Sequence, residues 1–168
     1  MQFSISTIAL YATLFLTVSA LPLSSRALSS QAYDDLSISA GQAGDAEAEA
    51  QAKIGIDANS DLASVSKADL EIVKGIHDVA NDAEVGAFNP AVAAATGAEK
   101  VAIQNGKIKN KVLKLSAAVL ALQIQEAYGD SSVATKLAAE QKKLANNIAL
   151  DTKAAGQEST AISFDGTS

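Results

Sequence analysis

The densest basic run in the chain is QNGKIKNKVLKL, where Lys107, Lys111 and Lys114 stand at i, i+4 and i+7. Lys100, two turns earlier, falls on the same helical face. Four ammonium groups in one stripe suit an anionic partner such as lipid head groups, acidic polysaccharide or an acidic protein. The alternative is a solvated face, or one paired with the acidic first half of the chain, since no arginine or aromatic neighbour adds specificity. His77 is the single histidine and shares its segment with Asp78, Asn81, Asp82 and Glu84. A metal centre would need ligands from a second segment, and a solvated acidic face accounts for the group equally well. Asp57, Asn59 and Asp61 alternate like the opening of a calcium loop, but Leu62 stands where the loop needs glycine and Ala68 where it needs glutamate. There is no Gly-x-Ser-x-Gly elbow, and Gly106-Lys107 lacks the earlier glycine and following Ser/Thr of a phosphate loop. The absence of cysteine excludes thiol chemistry, thiolate-bound metals and iron–sulfur clusters. Catalysis would rest on carboxylates, and no pair of them is marked. The expectation is a non-enzymatic protein with no catalytic residue, no cofactor and no metal.

These groups must be carried by helices. Aromatic residues make up only 4% of the chain, so a core has to come from closely packed Leu, Ile, Val and Ala, which favours helices over sheets. Helical spacing of Leu36, Ala40, Ala43 and Ala50 predicts a first helix between Tyr33 and Ala52, weakened by Gly41 and Gly44. Ile54 to Val65 reads as a loop. Ser66 opens a second helix, its hydroxyl placed to accept from the amide of Asp69, with Leu70, Val73, Ile76 or His77, Ala80 and Ala83 on one face. Gly86 to Asn89 is expected to end it, and Asn89-Pro90 to start the next as cap and first residue. The longest helix is predicted from about Ala98 to Tyr128. Val101, Ile108, Val112, Leu115, Val119 and Leu122 form one apolar stripe on it; Ala102, Leu113, Ala117, Leu120 and Ile124 form a second. A helix apolar on two sides has neighbours on two sides, which makes this one central. Gly106 interrupts it as a bend or a close-packing point, and Gly129 ends it. A last helix runs from Ser131 or Ser132 to about Ala155, with Val133, Leu137, Leu144 and Ile148 inward. The fold expected is all-α: an up-and-down bundle of about four helices over residues 33–156, followed by a polar tail, 157–168.

Ahead of the bundle, residues 1–20 read as a cleaved signal peptide. Ile5 to Val18 is apolar and uncharged, too short for a convincing membrane span, and Val18-Ser19-Ala20 places small residues at a cleavage point. Residues 21–32 read as a flexible Ser-rich arm. No later stretch approaches the twenty or so continuous apolar residues of a transmembrane segment. Asn-x-Ser/Thr does not occur, so N-glycosylation is not expected. The net charge of −6 disfavours nucleic acid as a partner. That charge is uneven: twelve acids face three lysines from Asp34 to Glu84, against seven acids and nine lysines from Val85 onward. Acidic helices packing beside basic ones account for the asymmetry; a two-poled surface that steers a partner is the sharper reading.

Four stretches, AYDDLSISAGQAGDAEAEAQAK, HDVANDAEVGAFNPA, QNGKIKNKVLKL and NNIALDTKAAGQESTAISFD, together resemble the cysteine-free small secreted proteins of filamentous ascomycete fungi. The resemblance runs from about Ala32 to Asp165. It implies an extracellular fungal protein expressed during contact with a host, and brings no assigned activity and no catalytic residues. The function expected is that of a secreted, effector-like protein acting at the cell surface or on a host through protein–protein contact, its partner an extracellular protein or cell-surface component. The alternative is a binding module for an apolar ligand, hydrophobic surface or cell-wall component.

Overall fold

The structure, a computed structural model, describes residues 27–168. The signal-peptide reading and the first half of the arm, residues 21–26, lie outside the described residues. From there the order is α1 (Tyr33–Leu36), β1 (Gly41–Gln42), α2 (Ala46–Ile54), α3 (Lys67–Ala83), α4 (Asn89–Ala94), α5 (Gly97–Ala127), α6 (Ala134–Lys153) and β2 (Glu158–Ser159). The all-α class and the helical bundle are as the sequence led us to expect. Among the described residues, no helix is long and apolar enough to cross a membrane.

Helix α5 is the central element. Its second stripe, Leu113, Ala117, Leu120 and Ile124, enters the main core with Ile54 of α2 and Leu70, Val73, Ile76 and Ala80 of α3. Its first stripe sends Val119 and Leu122 into a smaller cluster with Leu137 of α6. Val101 departs from that stripe: it lies at the start of the helix and is 51% exposed. Helix α3 runs antiparallel to α5, since Asn110 meets Ala80 near one end and Tyr128 meets Val65 near the other. Ser66 caps α3 as predicted, accepting from the Asp69 amide at 3.0 Å. The turn into α6 is fixed by Asp130, whose carboxylate accepts from the Ser132 amide and hydroxyl. Those two bonds hold the Asp130 carboxyl below its ordinary range, the hydroxyl contributing most.

Two expectations need correcting. The first predicted helix is broken in two. Gly41 and Gly44 take φ of 86° and 127°, a left-handed backbone that side chains resist, and the chain between Leu36 and Ala46 is irregular apart from β1. The second helix does not end at Gly86–Asn89. It passes through a wide π-helical turn, Glu84–Phe88, directly into α4, and Asn89 is helical rather than capping. Pro90 explains the wide turn: proline supplies no N–H and crowds the carbonyl four residues back, so an extra residue loosens the ladder just ahead of it. The polar tail, 157–168, packs back on the bundle. Residues 161–168 alternate exposed and half-buried, with Ile162 and Phe164 on the inner side. Phe164 packs edge-on against Tyr33, with ring centroids 5.9 Å apart. The Tyr33 amide donates to Gly166, Ala32 bridges Thr167, and Ser168 exchanges bonds with Gln31. The part of the arm that is described, from Ala27 on, is held too: the Leu28 amide donates to Asp69 at 2.7 Å.

Candidate functional site

Polar groups on α5 decide what the bundle can present. Lys109 is 0% exposed, and its ammonium donates to the carbonyls of Ala40 (2.9 Å) and Gln42 (3.0 Å) while pairing with Glu49 at 2.8 Å. All three of its protons are used, so it is a pin for the segment between α1 and α2, with no free donor for a ligand. Asn110, also fully buried, accepts from the Tyr33 hydroxyl and donates to the Ala80 carbonyl, each at 2.8 Å. Burial pushes the Tyr33 phenol above its ordinary pKa, against the smaller pull of the Ser37 and Ser39 hydroxyls. Asn105 donates to the Glu158 carbonyl at 2.8 Å. Between Asn105 and Lys109 the tail crosses α5 at Gly106, where a Cβ would stand 2.0 Å from the Thr160 carbonyl oxygen. Gly106 is therefore the close-packing point of the two options the sequence allowed. Asp151 of α6 closes this end by accepting the Ala46 amide at 3.0 Å, capping α2 from across the bundle.

Pinning α2 against the first half of α5 leaves a seam farther along. There α2, the loop Gly55–Asn59, α5 and α6 border an open cleft of about 390 Å3. Ile54, Ile56, Val119, Leu120 and Leu144 form its apolar floor. Gln51, Ser116, Gln123 and Asn59 supply amides and a hydroxyl, and Glu47 and Asp57 supply carboxylates. The cleft falls within the roughly 300–1,000 Å3 range of small-molecule sites, with the mixture typical of them: an apolar surface for affinity and a few polar groups for orientation. A second, smaller groove of about 300 Å3 lies between α3 and α6, bordered by Lys74, His77, Asp78, Lys136 and Glu140.

The sequence-predicted site residues are dispersed. Lys100 is exposed and Lys107 and Lys111 are half-buried, but Lys114 turns to Glu84 and Asn81 of the α3 end, in an ion pair with both side chains largely buried. The stripe of four is thus not one free anion-binding face: its last member is committed to the acidic half of the chain. His77 bonds its neighbour Asp78 at 2.8 Å, while Asn81 and Glu84 serve Lys114, so the polar patch is divided as well. Asp57 accepts from the Asn59 amide and Asp61 from the Ala63 amide, which assigns both to local turns. Among the described residues, no group of three or more His, Asp or Glu side chains is placed to hold a metal. The cleft residues went unpredicted because they come from four separate elements. Lys109 did carry a signal: at 100° per residue it falls inside the second apolar stripe, between Ala102 and Leu113.

Fold and cleft together define a cysteine-free helical bundle, with one long helix at its centre and an open groove beside it. The model of the family "Domain of unknown function (DUF8454)" matches residues 28–163, and the chain belongs to that family. No curated protein and no solved structure matches it.

Proposed function

We propose that this chain works outside the cell that makes it, by binding rather than by catalysis, and that it takes an apolar ligand into the cleft between α2, α5 and α6. The observation that carries the reading is the cleft of about 390 Å3, in which half-buried Ile56 and Leu144 stand over the core side chains Ile54, Val119 and Leu120. Export is supported by the leader-like residues 1–20, and a fungal setting by the resemblance in Ala32–Asp165. The non-enzymatic part is supported by the pairing of His77 with its neighbour Asp78 and by the commitment of Lys109 and Lys114 to structural pairs.

A neutral, polarity-sensitive dye such as Nile red tests the reading. The mature protein is expected to bind it with a blue-shifted emission, and Ser116→Trp, which fills the cleft from the half-buried middle of α5, is expected to abolish binding without lowering the unfolding midpoint. No dye binding by the folded wild-type protein, or undiminished binding by the Trp variant, refutes it.

An effector-like protein contact is the second reading, and one feature favours it. Val85 and Val101 are 61% and 51% exposed, and the stretch Val85–Ala98 carries no charge. If this end of the bundle makes the contact, Val85→Asp with Val101→Asp abolishes retention on host or wall material and leaves dye binding intact.

A further inference from the structure

The polar groups around the cleft have a consistent sign. Its border holds two carboxylates, Glu47 and Asp57, and no lysine, arginine or histidine. Basic residues near it are engaged elsewhere: Lys53 donates to the Asp35 carbonyl, and Lys109 is buried on Glu49 and two carbonyls. Glu47 makes no ion pair or side-chain hydrogen bond among the described residues, and Asp57 uses one carboxylate oxygen on Asn59 and keeps the other. The remaining polar members, Gln51, Ser116, Gln123 and Asn59, are neutral and rich in oxygen acceptors.

An apolar floor under a rim of carboxylates and acceptors is complementary to one kind of molecule. We propose that the cleft takes a cationic amphiphile, a long-chain amine or alkylammonium, with its hydrocarbon on Ile54, Ile56, Val119, Leu120 and Leu144 and its head group between Glu47 and Asp57. The proposal rests on the reading of the cleft as a binding site and adds the chemistry of the occupant. A fatty acid, with the same tail and the opposite head, meets two like charges and no basic partner. The head group requires no deep burial of charge, since both carboxylates are on exposed residues and stay hydrated while they attract it.

The test compares decyltrimethylammonium with decanoate, below their micellar concentrations, by titration calorimetry on the mature protein in low salt. Two rim carboxylates, each worth a modest surface interaction, give an expected preference for the ammonium of about tenfold. The preference shrinks at 0.5 M salt, and Glu47→Gln with Asp57→Asn reduces it to about twofold at most. The Asn keeps an oxygen for the Asn59 amide, so the loop is preserved. Equal binding of the two amphiphiles, or a preference that survives in the double variant, overturns the proposal. Nile red separates the failures: dye binding without head-group discrimination sinks the cationic ligand alone, while absence of both sinks the binding cleft.

Discussion

Replacing Gly106 by alanine reverses the ordinary expectation for a helix interior. In a solvent-exposed helix the change stabilises by about 1 kcal/mol, because glycine loses more backbone freedom on folding. Here the added methyl would stand 2.0 Å from the Thr160 oxygen, 2.9 Å from its carbonyl carbon and 3.2 Å from the Ser39 oxygen. All three are backbone atoms, so no side chain can swing aside. Relief requires the tail to lift from α5, which breaks the bond from the Thr160 amide to the Ala102 carbonyl and loosens two others, Asn105 to Glu158 and Ser159 to Ser39. At roughly 1 kcal/mol per bond, and set against the helix gain of about 1 kcal/mol, the net loss is about 2 kcal/mol. Urea unfolding followed by far-ultraviolet circular dichroism measures it. A midpoint equal to or above the wild type would refute the argument that tail and helix are packed backbone to backbone.

Lys109→Met leaves two carbonyls and Glu49 without their cation and is expected to cost about 3 kcal/mol, against less than about 0.5 kcal/mol for Lys100→Ala; denaturation of the two side by side checks it. Tyr33→Phe strands the buried Asn110 oxygen and is expected to cost about 1–2 kcal/mol at neutral pH. The same residue shapes the alkaline limb. Below the ordinary tyrosine pKa the folded and unfolded chains both hold the phenol proton, so its contribution is whole. Above that value the unfolded chain ionises first, and the contribution is lost as pH rises through the raised folded value, so a stability–pH profile of the Phe variant falls less steeply there than that of wild type. Phe164→Ala removes the edge-on partner of Tyr33 and is expected to lower stability by about 2 kcal/mol, with hydrogen exchange rising first at the Tyr33 and Ser168 amides. Mass spectrometry of culture supernatant should find a mature chain beginning near Leu21; absence from both supernatant and wall would remove the export reading.

What could be read from the sequence was whatever repeats along a single element. The two apolar stripes of α5 announced a helix with partners on both sides, and Ser66 announced the start of α3, because spacing and capping are local. The break between α1 and α2 was only half legible, in Gly41 and Gly44, since the lysine that bonds its carbonyls, Lys109, lies almost seventy residues away. The same lysine was readable by angle and was passed over because a lysine is ordinarily solvated. Pro90 was read as a first helical residue, since proline is at home there, and the π-helical turn that admits it into a continuing helix leaves no spacing signal of its own. Ile162 and Phe164 alternate with polar residues over too few positions to announce that the tail packs on the bundle. The cleft has no sequence signature at all: its floor is made of ordinary core aliphatics, and only the relative placement of α2, α5 and α6 leaves a groove above them.

Contacts between the described start of the chain and its tail join residues 129 to 138 apart, through Asp34 with Ser163 and Phe164 and through Gln31 and Ser30 with Ser168. A chain emerging from the ribosome N-terminus first cannot make them until its C-terminal segment is free. The helices can form early, but Tyr33 stays uncovered on its Phe164 side until residue 164 has emerged. Such late closure makes the packing of Tyr33 a long-range step that follows the local formation of the helices.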